Sequence, residues 1–167
     1  MSEKIAPQDT CVLVTGGAGF IGSHTVVELL QAGYQVVIVD DLSNASVKVL
    51  DRIKTIVGDE AAKNLTFYEA NVLDREAMNK IFDTHQIDRV IHFAGYKAVG
   101  ESVTKPVEYY SNNIGNTLTL VDVMREHDCK SIIFSSSATV YGDPDSLPLT
   151  EASPKKPATN PYGWTKW

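Results

Sequence analysis

The strongest constraint on the fold is the run Thr15-Gly16-Gly17-Ala18-Gly19-Phe20-Ile21-Gly22, set between a short β-branched segment and a helix-length stretch. Glycines at this spacing answer three steric demands. Gly16 permits a tight turn after the strand, Gly19 lets backbone approach a pyrophosphate, and Gly22 allows the helix to pack close to the strand. The helix N-terminus then faces an anion with unpaired N–H groups and the positive end of its dipole. A glycine motif alone is weak evidence; with a strand before it and a helix after it, it reads as a dinucleotide site.

The remainder of the chain repeats that local pattern. Short β-branched runs at Cys11 to Thr15, Gln35 to Val39, Leu65 to Glu69, Arg89 to Phe93 and Ser131 to Ser135 predict strands. Between them, Ile21 to Ala32, Val47 to Val57, Arg75 to His85 and Val107 to Glu126 predict helices. Gly33 suits the C′ position of the first helix, Asp74 an N-cap and Pro106 an N1 residue. The expectation is an α/β chain with a Rossmann-type doubly wound parallel sheet over residues 11–167, preceded by an extension over residues 1–10. Five of the seven prolines fall between Asp143 and Pro161, a candidate functional loop that leads to Asn160-Pro161, an N-cap and N1 pair.

The second strand leads into Asp40-Asp41-Leu42-Ser43-Asn44, eighteen residues past Gly22 at its first carboxylate. A carboxylate there accepts from a ribose 2′-hydroxyl and repels a 2′-phosphate, which favours NAD over NADP. No Arg or Lys lies between Asp40 and Val47 to offset that repulsion. After the fourth strand, Phe93-Ala94-Gly95-Tyr96-Lys97 supplies a second small-residue turn, with Lys97 placed to reach cofactor or substrate oxygens or to serve as a plain surface cation.

Partners are narrowed by charge and by cysteine use. A formal charge of −6 with no run of Lys or Arg argues against nucleic acid or an anionic membrane. Cys11 and Cys129 lack metal-ligand spacing and read as reduced core residues, and no metal site is expected. The start of the chain has no apolar signal core and no run reaches membrane-spanning length, so a cytoplasmic location is expected.

Tyr162 and Lys166 stand at i and i+4 of the final segment, a spacing that puts both on one helical face. An ammonium beside a phenol favours the phenolate, and such a tyrosine takes a proton from an alcohol near neutral pH. Ser137 lies in Ser135-Ser136-Ser137-Ala138-Thr139-Val140-Tyr141-Gly142, at the end of the fifth strand, where its hydroxyl can link a substrate alcohol to Tyr162.

With VTGGAGFIGSHTVVELL, DDLSN, VIHFAGYKAVGES, FSSSATVYGD and NPYGWTK in place, the chain resembles the extended short-chain dehydrogenase/reductase family, within it the sugar-nucleotide epimerases, from about Cys11 to Trp167. The resemblance implies Ser137, Tyr162 and Lys166 as the catalytic triad, with Tyr162 as base. It implies NAD lined by Phe20, Ile21, Asp40, Asp41, Leu42, Ser43, Asn44, Ala45, Asn71, Val72, Phe93, Ala94, Gly95, Lys97, Asn112, Tyr162 and Lys166. The implied substrate is a UDP-hexose, met by Ser137, Lys97 and Tyr162. The implied activity is interconversion of UDP-glucose and UDP-galactose through transient oxidation at the sugar 4-position. Dehydratases of the group carry an acidic residue in the turn after the fifth strand, where this chain has Ala138-Thr139. A non-catalytic NAD-binding module and a related oxidoreductase or dehydratase remain open.

Two local departures from the family pattern stand out. Asn71 occupies a position usually held by an aspartate, and Ile114-Gly115-Asn116-Thr117 departs from the usual order, in which the glycine directly precedes the threonine. Family members also run to roughly twice this length, as two lobes rather than one. The resemblance therefore implies the cofactor-binding half, ending before the last strands and the substrate lobe. It further implies a homodimer in the family, paired through helices matching Val107 to Glu126 and the one beginning at Tyr162.

Overall fold

Uninterrupted apolar runs form strands covered on both faces. In the computed structural model, which describes residues 6–167, β1 (Cys11–Thr15) is buried at every position. It pairs in parallel with β2 (Gln35–Asp40), which pairs with β3 (Leu65–Glu69). On its other side β1 pairs with β4 (Arg89–His92), and β4 with β5 (Ile132–Phe134). The order β3-β2-β1-β4-β5 is that of a Rossmann-type sheet, and the direction of winding reverses at β1. Thr15 lies opposite Val39 on one side and His92 on the other, so the carboxyl ends of β1, β2 and β4 open at one edge.

The connecting helices are α1 (Phe20–Gln31), α2 (Lys48–Ala62), α3 (Arg75–Thr84), α4 (Val99–Thr104), α5 (Pro106–Glu126) and α6 (Pro161–Lys166). The expected caps are present. Asp74 accepts the Ala77 N–H at 3.0 Å, Pro106 is the first residue of α5, and Gly33 adopts φ +90° just past α1.

The chain divides into two compact units. Residues 6–94 and 119–134 make the first, which contains the whole sheet. Its core follows the two-residue period of the strands: Leu13, Val37 and Val39 join Met78, Phe82, Leu120 and Val123. Val12, Val14, Val36 and Ile38 point the other way, to Val26, Leu30 and Ile53. Each such side chain contributes about 1.5–3 kcal/mol on burial. Cys11 and Cys129 are buried free thiols, and desolvation, with Asp88 second, pushes the Cys11 thiol up to about 11. Residues 95–118 and 135–167 make the second unit, in which α4 lies against α6.

The differences from expectation are local. Helix α2 runs on to Ala62 through a break at Gly58, where φ is +80°. Helix α4 and a 3-10 turn at Ala138–Tyr141 were not expected, because neither is long enough to display a period. Of the expected extension, residues 1–5 lie outside the described part. Pro7–Asp9 form a 3-10 turn, and Thr10 is buried with its carbonyl accepting the Gln35 N–H. Among the described residues no helix is long and apolar enough to cross a membrane, and no group of three or more His, Cys, Asp or Glu could hold a metal ion.

Candidate functional site: a glycine cradle and a Tyr-Lys helix

In the first unit, the turn from β1 to α1 is as tight as its glycines allow. Gly16 has φ +70°, and a Cβ on it would stand 2.7 Å from the Ala94 nitrogen. A Cβ on Gly22 would collide with the Gly16 carbonyl oxygen. Backbone from β1, α1 and the end of β4 therefore converges here, with Gly19 as N-cap of α1. Phe20, Ile21 and Gly22 form the first turn, whose N–H groups have no carbonyl one turn earlier in the helix. Phe20 is 77% exposed and Ile21 57%, so this end of α1 faces solvent.

Asp40 ends β2 and is only 8% exposed. One carboxylate oxygen accepts the Ala18 N–H at 2.9 Å and the other the Leu42 N–H at 3.0 Å. The first bond ties the glycine turn to β2; the second folds the next residues into a turn with Leu42 at φ +56°. Asp41 repeats the device on Ser43 N–H at 3.0 Å, and its other oxygen accepts from the Asn71 amide at 3.0 Å. An aspartate at 71 would set two carboxylates against each other, which accounts for asparagine beside Asp41. Asn44 is exposed, Ala45 half-buried and Val72 buried. A groove of about 450 Å³ beside the turn is lined by Phe20, His24, Lys48 and Arg52 among others. Two cations, Lys48 and Arg52, thus follow just beyond the Asp40 to Val47 stretch. Phe93 and Ala94 close the unit, with the Phe93 N–H donating to Thr15 O at 3.0 Å.

In the second unit, α6 has only six residues, too few to stand alone in water. Side chains hold it. Asn160 caps it by accepting the Gly163 N–H at 2.8 Å. Ser136 Oγ donates to the Lys166 carbonyl at 2.9 Å, and Asn113 Nδ2 donates to Thr165 Oγ1 at 2.9 Å. Lys166 is 7% exposed, and burial lowers its pKa from the ordinary lysine value. Tyr162 is half-buried one turn before it.

Gly95 begins this unit next to Lys166: a Cβ there would lie 3.1 Å from Asn113 Oδ1 and 3.5 Å from Lys166 Nζ. Ser137, half-buried, caps the 3-10 turn. Its Oγ accepts the Thr139 N–H at 3.2 Å and the Thr139 hydroxyl at 3.0 Å. Lys97 is exposed, and Asn112 donates to Asn113 Oδ1 at 3.1 Å.

Asn113, which the sequence did not single out, is central to this unit, buried at the meeting of the Tyr96 backbone, Asn112 and Thr165. Thr139, noted in the sequence only for standing where dehydratases carry an acid, stands over Ser137. Asn113 is hidden in an Asn-Asn pair, and only the helical period from buried Tyr109 would have marked it as the inward one.

Comparison with known proteins places the chain among enzymes of one kind. The family model of GDP-mannose 4,6 dehydratase matches residues 13–167. The UDP-glucose 4-epimerase of Bacillus subtilis (strain 168) is 57% identical over 155 residues, 93% of this chain and 44% of that protein. That of Dictyostelium discoideum is 53% identical over 160 residues, 96% of this chain and 45% of that protein. The crystal structure of UDP-glucose 4-epimerase from Bifidobacterium longum in complex with NAD+ and UDP matches with a TM-score of 0.89 at 54% identity, covering 94% of this chain and 46% of that one. The enzyme from Stenotrophomonas maltophila, with bound NAD and formylated UDP-arabinopyranose, matches with a TM-score of 0.87 at 44% identity, covering 94% and 45%. The chain spans less than half the length of these relatives. On sheet order, glycine cradle and matched extent together, it belongs to the GDP-mannose 4,6 dehydratase family of extended short-chain dehydrogenases/reductases.

Proposed function

We propose that the chain is the cofactor-binding half of an NAD-dependent 4-epimerase that interconverts UDP-glucose and UDP-galactose in the galactose metabolism of the cytoplasm. The observation that carries this reading is the turn after β5. Ser137 is followed by Ala138 and by Thr139, whose hydroxyl binds Ser137 Oγ, so neither supplies a carboxylic acid to protonate a departing hydroxyl. A reaction that retains the sugar's oxygens suits such a turn better than dehydration.

The first unit fits NAD. Its turn packs backbone on backbone at Gly16 and Gly22, where a Cβ would collide with Ala94 and with the Gly16 carbonyl, and α1 would present its first turn, with Phe20 and Ile21, to a pyrophosphate. Asp40 would accept from the adenosine ribose, with Asp41 to Ala45 around it and Asn71 and Val72 towards the adenine. Phe93 and Ala94 would complete this unit's share, and Gly95, Lys97 and Asn112 are the second unit's candidates for the cofactor. Bound there, NAD supplies the acceptor and donor of the hydride at the sugar 4-position. Tyr162 takes the proton of the 4-hydroxyl, Lys166 stands one turn away on the same helix, and Ser137 orients the oxygen. Lys97 reaches substrate or cofactor oxygens. A homodimer would bury the outward stripe of α5, where Val107, Tyr110, Ile114, Leu118 and Val121 are exposed.

Calorimetric titration with NAD tests the first unit: one site per chain is expected, and no binding would sink the proposal. Turnover of UDP-galactose tests the second unit, in a hybrid that joins the chain to the remaining part of the Bacillus subtilis relative. Because the chain spans less than half of its relatives, NAD binding without turnover in that hybrid would favour a non-catalytic NAD-binding module instead.

A further inference from the structure

The Ser137 hydroxyl has one proton to give and two lone pairs with which to accept. Thr139 addresses both lone pairs: its N–H at 3.2 Å, in a direction set by the backbone, and its hydroxyl at 3.0 Å. The Thr139 side chain is itself held in place, since a Cβ on Gly163, the residue after Tyr162, would stand 3.3 Å from both Thr139 Cβ and Oγ1. We propose that Thr139 is a positioning residue that makes Ser137 an obligate hydrogen-bond donor, so that Ser137 presents its proton to the sugar oxygen and does not take part in carrying the proton to Tyr162.

The consequence for the proposed reaction, on which this inference rests, is a division of labour. With both lone pairs engaged, Ser137 cannot receive the 4-hydroxyl proton. That proton passes directly to the Tyr162 phenolate, whose O–H bond forms as the sugar O–H bond breaks. Ser137 then stabilises the oxygen through a hydrogen bond that strengthens as negative charge develops on it. Donation by Thr139 also polarises the Ser137 hydroxyl and makes it the better donor.

The direction of the Thr139 to Ser137 bond can be measured on the 167-residue chain by NMR of slowly exchanging hydroxyl protons. A protected Thr139 hydroxyl that is released by Ser137→Ala is expected. A protected Ser137 hydroxyl that is released by Thr139→Val would reverse the bond and overturn the proposal. In the hybrid described above, Thr139→Val is expected to lower kcat about 10-fold with little change in KM, while Thr139→Ser, which keeps the hydroxyl, stays within about 3-fold of the parent. Added to Ser137→Ala, Thr139→Val should cost nothing further. Unchanged kcat in Thr139→Val, or an additive loss in the double variant, refutes the positioning role. Unchanged turnover in Ser137→Ala alone would instead strike at the proposed function of the site.

Discussion

Asn113 pairs with both backbone groups of Tyr96, accepting its N–H on Oδ1 at 2.8 Å and donating from Nδ2 to its carbonyl at 2.9 Å. The same Nδ2 donates to Thr165, whose hydroxyl in turn donates to the Tyr162 carbonyl at 2.7 Å. One buried amide thus joins the segment after Gly95 to the helix that bears Tyr162 and Lys166. Asn113→Leu leaves the Tyr96 groups without partners and is expected to destabilise the chain by about 2–4 kcal/mol. Urea denaturation measures this, and a midpoint within error of the parent would refute the clamp.

Two glycines should respond oppositely to the same change. At Gly22 a methyl group meets the Gly16 carbonyl, so Gly22→Ala is expected to cost about 2–4 kcal/mol or to abolish NAD binding. At Gly100, inside α4, nothing lies within 4 Å of a Cβ, and Gly100→Ala is expected to add about 0.5–1 kcal/mol. Thermal melts of the pair separate steric need from chance composition.

Asp40→Asn keeps one acceptor oxygen where Ala18 and Leu42 use two. Weaker NAD binding, by about 10-fold, and a narrower preference over NADP are expected, since the charge that opposes a 2′-phosphate is gone. Parallel calorimetric titrations with both dinucleotides decide it; an unchanged ratio would mean that another group sets the preference.

Burial lowers the pKa of Lys166 in the folded chain below that of an unfolded lysine. Its contribution to stability is therefore greatest above the unfolded value, near 10.5, and is lost as pH falls through the depressed folded value. The difference in urea midpoint between Lys166→Met and the parent should be larger at pH 7 than at pH 10.5, in favour of the variant at pH 7. A difference independent of pH would show that burial does not burden the ammonium.

Strand β5 forms an edge of the sheet, and Ile133 on it is 64% exposed. Edges of this kind pair with other chains. Concentration-dependent association is expected for the 167-residue chain, and Ile133→Lys should reduce it in light scattering. A parent that stays monodisperse at high concentration would refute this.

Much of the first unit was legible in the chain because its signals are local. The β-branched run of β1, the glycines at 16, 19 and 22, and the cap at Asp74 each act over a few residues, through sterics and backbone hydrogen bonding. The β-strands were therefore placed to within one residue at each end, and the carboxylate at Asp40 was found by counting from Gly22. The break at Gly58 and helix α4 escaped notice, since a short helix and an interrupted one show too few turns to establish a period.

By itself, then, the sequence determined the order of elements, the parallel sheet and the residue types at the dinucleotide turn. Only the tertiary structure decided which neighbours serve them: that Asn71 donates to Asp41, and that Asn113 rather than Asn112 is turned inward to Tyr96 and Thr165. A strand or a cap is set by interactions among residues a few positions apart. A buried polar group is satisfied by whichever donor or acceptor the fold brings within about 3 Å, and most of these partners lie 17 to 52 residues away.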